Sequence, residues 1–259
     1  MKNTPKKNEQ ETNNYIYGKN SVLEAISQNP NRINKIYFSN GINFDNRLKK
    51  IKELADLNNI LINFTNLNKF NNYFDCEEKT INFQGVIASI SPIEFMDFDE
   101  FLNKKSDDFR KIVILDGVQD PHNLGAIIRT LAAASYDALV VPKHRSCPIN
   151  ATVEKTSVGA INHIPIIKSN SLPNLVDVLK KNNWWIIAAD ANCTDNYFDI
   201  DYKNMNFAII LGAEGAGVSK TLLNKADFKV KIPCNFESLN VSTSCAVIVY
   251  ESLRQILQK

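Results

Sequence analysis

Between positions 111 and 232 the chain repeats one pattern, a run of four or five mostly apolar residues, a polar turn, and a stretch with helical spacing. The runs fall at 111–115 (KIVIL), 138–141, 163–167, 185–189, 207–211 and 228–232. A strand that is apolar at consecutive positions shows apolar groups on both faces, so both must be covered. Helical spacing recurs at 123–134, 149–158, 172–181, 220–224 and 241–257. Strands joined through helices return to the same edge and pair in parallel. The pattern therefore predicts an α/β domain, with a parallel sheet between two helical layers. Ligands of such sheets bind at the carboxyl ends of the strands.

Upstream the spacing is shorter. Helices are expected at 20–27, 44–57 and 67–73 and strands at 35–38, 60–64 and 85–89. They form a small α/β domain over 15–91, joined by a weakly periodic linker at 92–109 to the larger domain at 110–259. Residues 1–14 (MKNTPKKNEQETNN) have almost nothing to bury and read as a disordered arm. They also lack the apolar segment of a secretory signal, and no later stretch approaches a membrane span. The five cysteines, Cys76, Cys147, Cys193, Cys234 and Cys245, are scattered and odd in number, as expected of reduced thiols in a cytoplasmic protein. His122, His144 and His163 do not cluster, so no metal is expected. The net charge is only +2, so a polyanionic partner has to be met by local clusters. Lys19, Arg32, Lys35, Arg47, Lys49 and Lys50 in the small domain, and Lys143, His144 and Arg145 in the larger one, supply such clusters.

Three loops follow strands and carry unusual polar content. In LDGVQDPHNLGAIIR, Asp116 closes a strand, Gly117 and Pro121 shape a turn, and Asn123 is expected to cap the helix and leave its first amides free for an anion. Arg129 lies six residues into that helix, either as a surface arginine or as a bidentate phosphate holder. In LGAEGAG, Gly212, Gly215 and Gly217 surround Glu214. The spacing G-x-x-G-x-G is neither a dinucleotide fingerprint nor a Walker loop, which disfavours a nucleotide-dependent oxidoreductase. It fits a close approach of backbone to a ligand or a plain turn. In IPCNFESLNVSTS, Ser238 and Asn240 flank Leu239 just before the last helix, and either could cap it.

Taken jointly and in this order, D-G-V-x-D-P-x-N-L-G-A-x-x-R, G-A-E-G-x-G and S-L-N-V-S resemble the three motifs of the SpoU (TrmH-like) RNA 2'-O-ribose methyltransferases. YGKNSVLEAI at 17–26 resembles the start of that family's small substrate-binding domain, and the likeness extends over nearly all of 15–259. The resemblance implies a trefoil-knotted methyltransferase domain, a ribosomal-protein-like amino-terminal domain, and a homodimer whose site draws on both subunits. It implies S-adenosylmethionine held against backbone of Gly212, Ile232 and Leu239, with Ala189 at a neighbouring strand end. Asn123, Arg129, Glu214, Ser238 and Asn240 match the positions that line the reaction centre. The implied substrate is a ribose 2'-hydroxyl of a guanosine in 23S ribosomal RNA, with no metal, DNA or membrane involved. Transfer RNA is the alternative acceptor, and a relative that binds RNA without catalysis is a second alternative.

Overall fold

The computed structural model describes residues 14–73, 82–104, 106, 108–235 and 237–258. The chain divides into two units, Met1–Ile93 and Glu94–Lys259. The disordered arm expected at 1–14 falls outside the described residues except for Asn14, and Cys76 also lies outside them.

The first unit runs β1 (Asn14–Tyr17), α1 (Lys19–Gln28), β2 (Ile33–Ser39), α2 (Asn46–Leu57), β3 (Leu61–Thr65) and β4 (Val86–Ile90). Its sheet has the order β1-β4-β2-β3, and only β2 and β3 are parallel. Val22 and Ile26 of α1 and Leu48 and Ile51 of α2 close its core over Ile36, Phe38 and Val86. Two of the basic residues expected to meet a polyanion are already engaged. Lys19 pairs with Asp45, which also caps α2, and Arg32 donates to the Ser91 carbonyl. Arg47, Lys49 and Lys50 remain exposed on α2.

The second unit runs α3 (Phe98–Asn103), β5 (Lys111–Asp116), α4 (Pro121–Ala133), β6 (Ala138–Pro142), α5 (Ala151–Ser157) and β7 (Ile166–Ser169). It continues through α6 (Leu172–Lys181), β8 (Trp184–Ala189), β9 (Asp195–Asn196), β10 (Asn206–Gly212), α7 (Lys220–Lys225), β11 (Phe228–Lys231) and α8 (Val241–Leu257). The seven strands pair in parallel in the order β7-β6-β5-β10-β8-β11-β9. Ile112, Ile114, Ile186, Ala188, Ala208 and Ile210 face one layer, where they pack with Leu175 and Leu179 of α6 and Leu222 of α7. Val113, Ile187 and Ile209 point the other way and are fully buried too. There α4 packs against α5 and α8. The apolar runs thus form strands covered on both sides, as the sequence pattern requires.

Two local expectations differ from the structure. The strand expected at 163–167 begins instead at Ile166, because Pro165 has no amide for the ladder and a 3-10 turn at Ala160–Asn162 precedes it. The segment 92–109, expected as a linker, belongs to the second unit from Glu94 onward. Met96 donates its amide to the Ile166 carbonyl, at 2.9 Å, on the edge strand β7. Asp97 then caps α3 by accepting from the amides of Asp99 and Glu100. Phe101, only 3% exposed, enters the core beside Trp184. The Arg110 guanidinium lies 4.8 Å from the Phe101 ring and 5.4 Å from that of Trp184, and it donates to the carbonyls of Phe101 and Leu102. A helix of six residues is too short to show a period, and its acidic first turn separates the two aromatic side chains, Phe98 and Phe101, that pack on the core.

Among the described residues no helix is long and apolar enough to cross a membrane. Because Phe101 fills core volume, Phe101→Ala is expected to cost about 3–5 kcal/mol, read from the denaturant transition of the full chain. A loss under about 1 kcal/mol would restore the linker reading.

Candidate active site

Strands β5, β10, β8 and β11 are consecutive and parallel, so Asp116, Gly212, Ala189 and Lys231 finish on the same edge of the sheet. A cavity of about 850 Å³ opens there, walled by residues 189–192, 211–217, 231–235, 238–241 and Ser244. Gly212, Ile232, Leu239 and Ala189, expected on the cofactor, all line it, as do Glu214, Ser238 and Asn240.

The glycine loop after β10 folds back tightly. The Gly217 amide donates to the Ala213 carbonyl at 2.9 Å, and a methyl group on Gly212 would overlap the Gly217 carbonyl and the Val218 nitrogen. Gly217 itself has φ +64°, with the Asp190 carboxylate occupying the space a side chain would need. Backbone is packed on backbone here, and Glu214 is carried at the tip of the fold.

Glu214 joins the other two loops. Its Oε1 accepts from Asn123 Nδ2 at 2.9 Å and from Asn240 Nδ2 at 2.5 Å, and Asn240 Nδ2 also donates to Asn123 Oδ1 at 2.9 Å. Glu214 Oε2 has no hydrogen-bond partner among the described residues. Asn240 is at the same time the cap of α8, accepting from the amides of Ser242 and Thr243 and from the Ser242 hydroxyl. Because its oxygen must face those donors, its nitrogen must face acceptors, and the capping role orients the whole triad. Of the two residues expected as possible caps it is Asn240 that serves. Ser238 stays exposed on the cavity wall.

Asn123 is not the cap of α4, contrary to expectation. Asp120 takes that position, accepting from the amides of His122 and Asn123, with Pro121 supplying the first helical residue. The amides expected to meet an anion are therefore already satisfied, and the Asn123 side chain, 8% exposed, is released to face Glu214. Arg129 is not brought to the cavity. Six residues along α4 place it about 9 Å down the axis and roughly 240° around from Asn123. It is exposed, and among the described residues it has no ion-pair or hydrogen-bond partner.

Asp190 was not among the expected site residues, yet it lines the cavity. Its one sequence signal is an acidic residue directly after an apolar strand. Burial pushes its carboxyl up, but the amides of Asn192 and Val218 and the Asn192 side chain outweigh that and hold it below the ordinary carboxylate value. The thiol of Cys245 is pushed up by burial to about 12, and that of Cys147 by burial and the nearby Asp120 to about 11, so neither is a nucleophile at neutral pH.

The family model of the SpoU rRNA methylases matches residues 110–250, and that of the RNA 2'-O ribose methyltransferase substrate-binding domain matches residues 15–96. The chain belongs to the SpoU family of RNA methyltransferases. A Staphylococcus saprophyticus protein assigned to the TrmH family of tRNA/rRNA methyltransferases is 36% identical over 244 residues, 93% of this chain and 95% of that one. An rRNA methyltransferase from Sinorhizobium meliloti is similar in structure, with a TM-score of 0.78 at 21% identity over 98% of this chain and 92% of that one. The SpoU methyltransferase AviRb from Streptomyces viridochromogenes, solved with its cofactor AdoMet, gives a TM-score of 0.75 at 18% identity over 93% of this chain and 89% of that one. At those identities the two structures establish a common SpoU fold.

The triad has a distinctive response to charge. Asn240→Asp keeps the cap but loses the donor and sets a second carboxylate against Glu214. A carboxylate whose pKa is raised on folding costs stability as pH rises above its unfolded value, so this variant's deficit should grow from about pH 4 to about pH 8. Asn240→Ala loses the cap without adding charge, and its deficit should stay nearly level. Denaturant midpoints across that pH range check both, and parallel curves would show that Glu214 does not face position 240.

Proposed function

We propose that this SpoU protein transfers a methyl group from S-adenosylmethionine to a ribose 2'-hydroxyl, with a guanosine of 23S ribosomal RNA as the acceptor. The observation that carries the reading is the joining of the three motif loops at one strand edge: the second and third wall the cavity, and Asn123 of the first, which does not line it, is tied to them through Glu214 and Asn240. The cavity suits the donor. Its volume lies within the range of ligand pockets. Its wall offers apolar Ala189, Ile232, Leu239 and Val241 and carries two carboxylates, Asp190 and Glu214, against one cation, Lys231. That balance favours a cationic ligand over a pyrophosphate-bearing dinucleotide.

S-adenosylmethionine supplies a methyl group on a cationic sulfur, open to attack by an oxygen. The chain's part is positioning, because aligning two bound reactants removes much of the barrier. Backbone at Gly212, Ile232 and Leu239, with Ala189 beside them, holds the donor. Glu214, Ser238 and Asn240 orient the ribose, whose 2'-hydroxyl also distinguishes RNA from DNA. Arg129 grips an RNA phosphate through its planar fork, since a guanidinium is too basic to serve readily as a proton acceptor. It does so from the partner subunit of a homodimer. Two features support that assembly: the position of Arg129 away from its own cavity, and the exposed apolar side chains Tyr250, Ile256 and Leu257 on α8, the helix that packs on α4. The knotted threading and the ribosomal-protein-like small domain belong to the same reading. So does a cytoplasmic setting, supported by bacterial relatives and by the free thiols of Cys147, Cys193, Cys234 and Cys245. Transfer RNA is the second acceptor, favoured by the joint tRNA/rRNA assignment of the relatives. Methylation of purified 23S RNA fragments and of tRNA under the same conditions decides between them. Activity on neither RNA would favour a binding relative without catalysis.

Arg129→Ala is expected to lower turnover at least about a hundredfold, about 2.7 kcal/mol of transition-state stabilisation, while leaving cofactor affinity unchanged. Mixing it with Glu214→Ala tests the shared site. With random pairing half of the dimers are mixed and one of the two sites in each is intact, so roughly a quarter of the activity should return. No recovery would mean that Arg129 works within its own subunit.

A further inference from the structure

We infer that Asp190 is a positioning residue for the cofactor, holding the cavity's glycine loop in its binding shape in concert with Asp116. The inference rests on the reading that the cavity takes S-adenosylmethionine. Strand β10 lies between β5 and β8, and each neighbour ends on an aspartate: Asp116 is the last residue of β5, and Asp190 directly follows β8. The loop that leaves β10 at Gly212 returns to two consecutive amides, and each is taken by one of these carboxylates. Val218 donates to Asp190 Oδ2 at 3.0 Å and Ser219 donates to Asp116 Oδ2 at 2.8 Å. The exit loop is thereby straddled from both sides of its own strand.

The two aspartates are not equivalent. Among the described residues the Asp116 carboxylate accepts a single bond, but both oxygens of Asp190 are in use. Its Oδ1 accepts from the backbone amide and the side-chain nitrogen of Asn192, each at 3.0 Å. Its own amide donates to the Val230 carbonyl on β11 at 2.9 Å. One residue therefore ties together three walls of the cavity: the turn 190–192, the glycine loop, and the end of β11. The absent side chain of Gly217 is what leaves room for this carboxylate. Every group that Asp190 receives is a donor, so the site needs an acceptor at both oxygens. An asparagine at 190 has only one, and its amine would meet either the Val218 amide or the Asn192 donors. An asparagine at 116 keeps the one acceptor that is used.

The full-length protein and its D190N, D116A and D116N variants are titrated calorimetrically with S-adenosylmethionine and with S-adenosylhomocysteine, and amide exchange is followed over 213–219. We expect D190N to weaken both ligands by at least about tenfold and to speed exchange over 213–219. D116A is expected to weaken binding in the same direction, and D116N to rescue it to within about threefold. Turnover of D190N at saturating cofactor should stay within about fivefold of the parent, so that the loss sits in KM. Melting curves confirm that each variant is folded. Binding by folded D190N within about threefold of the parent would overturn the inference. So would a loss confined to the cationic S-adenosylmethionine, which would make Asp190 a direct charge partner. Should the parent itself bind neither ligand, the cofactor reading falls and the inference falls with it, whereas a parent that binds but methylates no RNA leaves only the acceptor in question.

Discussion

A parallel strand buried on both faces has to give every backbone donor and acceptor to its neighbours, because no water reaches them. β10 meets that demand by pairing with β5 over Phe207–Gly212 and with β8 over Asn206–Leu211, in register on both sides. The consequence is geometric. Asp116, Ala189 and Gly212 are forced to stop at the same height, and the segments beyond them have to leave the sheet side by side. The cavity lies between the exits of β8 and β10, and β11 adds its own end to it.

Polar groups gathered at such an edge are expensive unless each finds a partner. The structure answers with shared acceptors and donors. Asn240 uses its oxygen on the helix end and its nitrogen on two other loops, Glu214 takes two amide hydrogens on one oxygen, and Asp190 takes three donors on two. The same economy sets the chemistry available. A site whose glutamate, asparagines and loop backbone are already held in place spends little reorganisation when substrates arrive, and positioning is what a transfer between two bound partners demands. Arginine is the exception to this pre-arrangement. Arg129 stands exposed on α4 without a partner among the described residues, so the role proposed for it needs a group from outside its own cavity.

The small unit and the loop after β6 show how far charge can be read from composition. Lys19 and Arg32 look like the exposed Lys49 and Lys50 in a sequence, yet each is committed to a partner within its own fold. Lys143, His144 and Arg145 do remain exposed, on a loop pinned by Lys143 to the Ser169 carbonyl and by Cys147 to that of Val118. Positive charges held on a fixed loop are better suited to a polyanion than the same charges on a mobile one, because less freedom is lost on contact.

Sequence alone sufficed for the layers of the larger unit, since each mostly apolar run overlaps a strand of the parallel sheet, although the run at 163–167 contributes only Ile166 and Ile167 to β7. It also determined which loops matter, because glycines at 212 and 217 and the three motif strings are local facts. It did not determine who meets whom. The contacts of Asn123 with Glu214 and with Asn240 span 91 and 117 residues. They exist only because strand order places β5 beside β10 and the start of α8 above both. For the same reason the spacing points to Asn123 as the cap of α4 where Asp120 holds that helix end, and Asp190 has its place only through the return of the loop after β10. Segment 92–109 has the pattern of a linker because its buried Phe101 gains its meaning from Trp184, far along the chain. Periodicity records how much of a residue is buried; the identity of its partner is decided by how distant strands line up.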